Sequence, residues 1–367
     1  LPFQWNRAFN ETVKATSNIE RRAAEALKTF LGTIPQLSLS DMTVTGEPDE
    51  RDPSVDIVAD TEYAGRPMRL VVEVKGNGQP RMAHQAAYQL KRYLDRSGQG
   101  GVPMFMAPYI SEQSQAVCRE EGIGYLDFEG NARIAFESVF IDRRVEGKPE
   151  PERRALRSLF KPKSARILRV LLNEPGRAWR VTELAEEAKV SIGLVSTIGS
   201  ALREREWADQ SEQGLHLTDP SGLLDEWARN YEQPKGEELR LYTHLHGKAL
   251  AEQLRDLGAG GGRVALASFS AADWLAPFVR QSTSYFYADE RGLGALQTGL
   301  NLTSPAKGAN IVVRVPDEDG VLDDARPVAP GLIATSPVQT YLDLMIGGER
   351  GAEGAAHLKD KLLRWPS

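Results

Sequence analysis

Three residues in the first third of the chain have the types and spacing for phosphodiester chemistry. Asp56 stands in Val55-Asp56-Ile57-Val58, and Glu73 and Lys75 stand in Leu70-Val71-Val72-Glu73-Val74-Lys75-Gly76. Side chains alternate along a strand, so Glu73 and Lys75 share one face while Val72 and Val74 take the other. A charged pair at the end of an otherwise apolar strand is costly unless something satisfies it. A divalent cation does so: Mg2+ takes one or two protein carboxylates and fills the rest of its octahedron with water and substrate phosphate, and Mn2+ can stand in its place. Asp56 and Glu73 are the expected metal ligands, with Lys75 orienting or deprotonating the attacking water or offsetting charge on the phosphate. The plain alternative is a solvent-facing strand that carries Glu and Lys two apart.

The elements that must position these residues follow from periodicity. A helix is expected at Ile19 to Leu31, then strands at Ser54 to Ala59 and Met68 to Lys75 joined by a turn at Ala64 to Pro67. A helix at Met82 to Leu94, a strand at Val102 to Met106, a helix at Ser111 to Glu121 and a strand at Gly124 to Phe128 follow. Such alternation predicts a mixed sheet flanked by helices. Cys118, the single cysteine, falls within the third helix, forms no internal disulfide and is expected to pack.

With Asp56 and Glu73-Val74-Lys75 placed in this order, the segment resembles the PD-(D/E)XK nucleases, whose mark is an Asp on one strand and Glu-x-Lys on the next. Gln89-Leu90-Lys91-Arg92-Tyr93 is similar to the Gln-x-x-x-Tyr motif of the RecB-like branch. The resemblance implies a restriction-endonuclease-like α/β domain over residues 1–146 with a Mg2+- or Mn2+-dependent DNA phosphodiesterase site. It further implies that Gln89 and Tyr93 hold substrate or the catalytic lysine and that Glu20 supports the metal. Val55 stands where the family's motif has proline.

Gly147-Lys148-Pro149-Glu150-Pro151-Glu152 reads as a connector, because two prolines two apart oppose helix and central strand alike. Beyond it, residues 153–233 hold an apolar helix at Ala165 to Leu172, a short helix after Thr182, a turn at Lys189-Val190 and a helix from Ile192 to Glu204 opened by Ser191. Leu194, Val195, Ile198 and Leu202 form the inner face of that last helix. Ser191, Gly193, Ser196, Thr197, Ser200 and Arg203 form the outer one, which suits close approach to a DNA groove. Trp207 to Thr218 reads as a hairpin. This arrangement resembles winged-helix transcription regulators, with Arg177 and Arg180 as candidate phosphate contacts; a winged helix that binds only protein is the alternative.

The last segment, residues 236–367, reads as α/β, with strands at Arg263 to Ala267, Ser284 to Ala288, Ile311 to Val315 and Leu332 to Ala334. A turn is expected at Gly258 to Gly262. Ser336-Pro337 with Gln339 begins a helix, Gly347-Gly348 stops it, and another spans Ala352 to Leu363. This pattern, Ser336 to Leu344 followed by Gly347-Gly348-Glu349-Arg350-Gly351, resembles the carboxyl-terminal part of AbiEi-type antitoxins of type IV toxin–antitoxin systems, which implies regulation. Asp289, Glu290 and Asp343 are expected to be surface or capping carboxylates. The five histidines have no zinc-site spacing.

Over 367 residues, apolar types make up 41% and charged types 26%, the balance of globular domains with cores of their own. No apolar run reaches membrane-spanning length and Phe3 to Arg22 is too polar for a leader, so a cytoplasmic protein is expected. The net charge of −6 argues against a protein that coats nucleic acid, although Arg153, Arg154, Arg157, Lys161, Lys163, Arg166 and Arg169 form a basic run. The expected partners are DNA, a toxin or other protein, and a second copy of the chain, with no membrane. Two functions follow: a nuclease delivered to DNA by a winged helix, or an antitoxin-like regulator that keeps the nuclease-like domain as an inert binding module.

Overall fold

The computed structural model describes residues 5–44, 55–136, 139–256, 262–278, 281–304 and 308–365. The chain divides into two compact units, one of residues 1–154 with 204–206, the other of residues 155–203 with 207–367.

The first unit is a seven-stranded sheet with strands in sequence order. Helix α1 (Trp5–Gly32) leads into β1 (Leu37–Val44), β2 (Ile57–Tyr63) and β3 (Arg66–Val74). Then come α2 (Pro80–Ser97), β4 (Val102–Ala107), α3 (Glu112–Glu120), β5 (Gly124–Asp127), β6 (Ala132–Phe136) and β7 (Val139–Arg143). β3, β4 and β5 run parallel to one another, whereas β1, β2 and β3, and likewise β5, β6 and β7, are joined as antiparallel neighbours. The mixed sheet expected from the alternation is present, widened by β1, β6 and β7. The expected strand at 54–59 begins later, at Ile57, and Ser54 lies outside the described residues. The hairpin turn is the pair Ala64-Gly65, both with positive φ (50° and 79°), so Tyr63 pairs directly with Arg66. One face of the sheet is covered by Ala23, Leu27, Phe30 and Leu31 of α1 packed on Ile57, Leu70 and Val72. The other is covered by Ala83, Ala86, Ala87 and Leu90 of α2 and Val117 of α3 packed on Val71, Phe105 and Tyr125. Cys118 is fully buried there, its thiol pushed up to about 12 by loss of solvent, which fits a packing role.

Helix α4 (Glu150–Leu159) corrects the reading of 147–152 as a connector that opposes helix: residues 150–152 are its first turn. Pro151 falls within its first turn, where the missing N–H is no loss.

In the second unit α5 (Pro162–Asn173), α6 (Val181–Glu187) and α7 (Ile192–Glu204) precede a hairpin of β8 (Ala208–Ser211) and β9 (Gly214–Leu217), closed by α8 (Pro220–Arg229). Trp179 adds a third strand position to the hairpin, exchanging hydrogen bonds with Leu215 at 2.8 and 2.9 Å. Gly214 is required there: at φ 138° a Cβ would lie 2.2 Å from the Trp179 carbonyl oxygen. Beyond it run β10 (Gly236–Leu241), α9 (Gly247–Asp256), β11 (Val264–Leu266), α10 (Ser268–Leu275), β12 (Ser284–Ala288) and α11 (Glu290–Gly299). β13 (Ile311–Pro316), a 3-10 turn (Asp319–Leu322), β14 (Arg326–Ala329), β15 (Leu332–Ala334), α12 (Pro337–Met345) and α13 (Gly348–Leu362) complete it. The sheet order is β10-β13-β12-β11-β15-β14. Of the expected turn at 258–262, residues 258–261 lie outside the described residues.

The middle and last segments, separate in sequence pattern, share one core. Ile167, Leu168, Val195, Leu202, Leu223 and Trp227 belong to the same apolar cluster as Val338, Leu342, Leu344 and Leu358. Every residue from Pro337 to Leu344 is buried, since α12 contacts α5, α8, α10 and α13.

Candidate functional site

The β2–β3 register pairs Ile57 with Val72 and Val58 with Val71. Asp56 lies one residue before the first of these pairs, at the end of β3 that carries Glu73. The strand has ended at this point, and the Val74 N–H donates instead to Asp56 Oδ2 at 2.6 Å, which ties the carboxylate to the end of β3. Lys75 continues the line of β3, its N–H donating to the Met106 carbonyl at 2.9 Å, and its Nζ donates to Glu73 Oε1 at 2.6 Å. Both side chains of that pair are withdrawn from solvent, at 16% exposure for Lys75 and 6% for Glu73. The hairpin thus brings Asp56, Glu73 and Lys75 together, as their spacing suggests.

The electrostatics carry the mark of crowded carboxylates. Glu73 is raised to about 7, first by burial and then by the negative charge of Asp56, with a further contribution from Glu20; Lys75 opposes the shift. Asp56 is raised by burial, against the pull of the Val74 N–H and Lys75. Glu20, on α1, is raised by burial and by Asp56. All three acids therefore lie within electrostatic reach of one another, with one lysine among them. Even so, among the described residues no three His, Cys, Asp or Glu side chains gather closely enough to hold a metal ion.

Gln89 and Tyr93 fall on α2, which packs against the Glu73 side of β3. Gln89 Oε1 is buried without a hydrogen-bond partner. Tyr93 interacts electrostatically with Arg69, four residues back along β3 from Glu73, a separation of about 13 Å at ~3.3 Å per residue. The tyrosine consequently belongs to the far end of the strand, where Arg69 is bound by Asp60 at 2.6 Å.

In the second unit, α7 buries Val195, Ile198 and Leu202 and leaves Ser191, Ile192, Gly193, Ser196 and Thr197 exposed. Ser200 and Arg203 are half-buried. Ser191 Oγ caps the helix by accepting the Leu194 N–H at 3.2 Å. Ser196 and Thr197 donate their hydroxyl protons to the carbonyls of Ile192 and Gly193 at 3.1 and 3.0 Å. Arg180 is exposed just before α6. Arg177 is engaged: its guanidinium lies 3.6 Å over the Trp179 ring and bonds Glu174 at 3.1 Å. The basic run is partly engaged as well, with Arg166 3.5 Å from Asp323 and Arg169 3.2 Å from Asp324.

Asp343 corrects the expectation of a surface or capping carboxylate. It is 3% exposed, and its Oδ1 accepts hydrogen bonds from Tyr231 (2.6 Å), Tyr287 (3.0 Å) and Gln339 (3.0 Å), while Oδ2 has no partner. Burial raises it to about 6, against those three donors. Gln339 also accepts from Arg169 at 3.3 Å, so the network reaches α5. Ser336, Gln339, Thr340 and Asp343 fall at helical spacing, as a solvent-facing stripe would, yet all four are buried. Asp289 does cap α11, accepting the Gly292 N–H at 2.6 Å.

Residues 216–364 match the family described as "Transcriptional regulator, AbiEi antitoxin, Type IV TA system". No curated protein matches the chain. Among solved structures, "Structure of EndoMS in apo form" aligns at 12% identity and a TM-score of 0.21, covering 29% of this chain. The chain spans 45% of that protein's length. Among the described residues no helix is long and apolar enough to cross a membrane.

Proposed function

We propose that this is a DNA-binding protein whose first unit is a PD-(D/E)XK-like phosphodiesterase, targeted to DNA by a winged helix formed by α5, α6, α7 and the β8–β9 hairpin. The observation that carries the catalytic half is Asp56 tied to the Val74 N–H beside Glu73, with Lys75 bonded to Glu73. Glu73, buried, and Asp56, half-buried, both with raised proton affinity, share a single cation, and a Mg2+ or Mn2+ ion would relieve that crowding in place of a proton. A protein cage of three ligands is not required, because Mg2+ normally keeps several waters and takes oxygens from the substrate phosphate. Asp56 and Glu73 would hold the ion, which when bound supplies charge stabilisation for the phosphate. Glu20 stands back as an acid that strengthens the local field. Lys75, already donating to Glu73, is placed to hold the attacking water or to offset charge on the phosphate. Gln89, with its unpartnered amide oxygen, has hydrogen-bonding capacity left for substrate, whereas Tyr93 would meet substrate only at the Arg69 end of the strand.

Incubation of the full chain with single- and double-stranded DNA and each metal tests this reading. Cleavage that requires metal and is lost in Lys75→Ala supports it. Absence of cleavage with both metals, or cleavage undiminished in Lys75→Ala, sinks it.

A second reading is favoured by the family match over 216–364: an antitoxin-type transcriptional regulator, with a toxin or other protein as partner and the first unit serving only to bind. Footprinting on the promoter of its own gene separates the two, since protection of a defined repeat without cleavage belongs to the regulator alone.

A further inference from the structure

We infer that α7 reads A·T base pairs, with Ile192 packed on a thymine methyl group; this rests on the winged-helix reading of α5, α6, α7 and the hairpin. In the major groove guanine offers two acceptors, cytosine a donor, adenine an acceptor and a donor, and thymine an acceptor and a methyl group. Reading guanine takes donors, most often from arginine or lysine. From Ser191 to Ser200 the helix has no charged residue, and the half-buried Arg203 stands at its far end.

The hydroxyls set the polarity of this face. Ser196 and Thr197 have given their protons to the carbonyls of Ile192 and Gly193, so toward a base they present acceptor lone pairs. An acceptor suits the exocyclic amine of adenine or cytosine. Each pair also shows two acceptors and one donor in that groove, so the hydroxyls do not separate A·T from G·C; the methyl group is what A·T has and G·C lacks.

Ile192 decides between them. It is 55% exposed in the first turn of α7, beside Gly193, whose missing side chain lets a duplex come close. A branched apolar side chain in that position gains from burial against another apolar group, and the thymine methyl is the apolar group on the major-groove edge. An A·T pair therefore meets both features of the face, the acceptors and the apolar side chain.

The test begins by selecting duplexes from a random-sequence library with the full chain in metal-free buffer, which prevents cleavage. The recovered core is then remade with deoxyuridine in place of single thymines, deleting one methyl at a time. An A·T-rich core is expected, with one substitution weakening binding about fourfold, the worth of one buried methyl. In Ile192→Ala, an exposed change that leaves the core intact, that same substitution should have less than about a twofold effect. A G·C core, or a uridine effect that is absent or equal in both proteins, overturns the inference while the winged-helix reading stands. Failure to select any duplex overturns both.

Discussion

Tyr231, just past the end of α8, donates its hydroxyl proton to Asp343 of α12 at 2.6 Å, inside a core that leaves the second carboxylate oxygen without a partner. Burial raises Asp343 to about 6, above the ~3.9 of an exposed aspartate. Between about pH 4 and pH 6 the folded state therefore binds more protons here than the unfolded one. The stability this group contributes is full below about pH 4, falls as pH rises toward 6 and is level above. The expected loss is of order 2–3 kcal/mol. Urea midpoints from pH 4 to 8 should fall less steeply in Asp343→Asn, which keeps one oxygen for the three donors, than in the parent; the slope that remains belongs to other raised acids such as Glu73. An unchanged slope in the variant would falsify this assignment.

Arg169 is 4% exposed and holds three partners at once: Asp324 at 3.2 Å, the Gly320 carbonyl at 2.7 Å and Gln339 at 3.3 Å. Arg169→Ala takes the paired cation from a partly buried carboxylate, leaving it only the hydrogen bond from Asn173 at 3.1 Å, and the donor from a carbonyl, and should cost about 3–5 kcal/mol by denaturant unfolding. Replacing the exposed Arg153 by alanine should change stability by less than about 0.5 kcal/mol.

At the carboxylate site, loss of chemistry and loss of structure should come apart. Glu73→Gln and Lys75→Ala should reduce metal-dependent cleavage by at least about a hundredfold. Asp56→Ala should in addition leave the Val74 N–H without its acceptor, a cost of about 1–3 kcal/mol. Asp56→Asn retains an acceptor oxygen, so its unfolding midpoint should stay close to that of the parent while cleavage is lost. Equal destabilisation of the two Asp56 variants would show that the Val74 bond is not what Asp56 contributes.

Arg180 and Arg177 should differ as phosphate contacts although they are three residues apart. Arg180 is exposed, whereas Arg177 is stacked on Trp179 and paired with Glu174. Arg180→Ala should lower the salt dependence of duplex binding by about one unit of slope, and Arg177→Ala by less. Titrations at several salt concentrations measure both, and equal slopes would show that the stacking does not withhold Arg177.

The parts of this architecture that could be read from sequence are those where local pattern and tertiary placement agree. Glu73 and Lys75 alternate with valines on one strand, and a tight turn returns the chain toward Asp56, so their meeting required only strand geometry. Ser336, Pro337 and Gln339 marked a helix start, and Ser336 Oγ does accept the Gln339 N–H at 3.3 Å. The strand β1 was missed because its exposure, half-buried at Leu37, Leu39 and Met42 only, leaves a weak alternation broken by a register shift between Leu39 and Asp41. Pro149 and Pro151 were misread because a proline that ends a helix elsewhere is at home in its first turn. Asp343 was misread because burial on every side of α12 is a property of its neighbours, not of its own residues. Tyr93 matched a motif by spacing, yet α2 places it near Arg69, since a position on a helix says nothing of how far along the facing strand it falls.

The division into two units has an optical consequence. Of six tryptophans, Trp179, Trp207, Trp227, Trp274 and Trp365 stand in the second unit, and Trp5 alone in the first. Indole fluorescence is thus close to a private signal of the second unit. Unfolding followed by that emission will track the core shared by α7 and α12, while far-ultraviolet circular dichroism will sum both units. If the two melt independently, the curves will not superimpose, and the difference between them is the unfolding of the unit that carries Asp56 and Glu73.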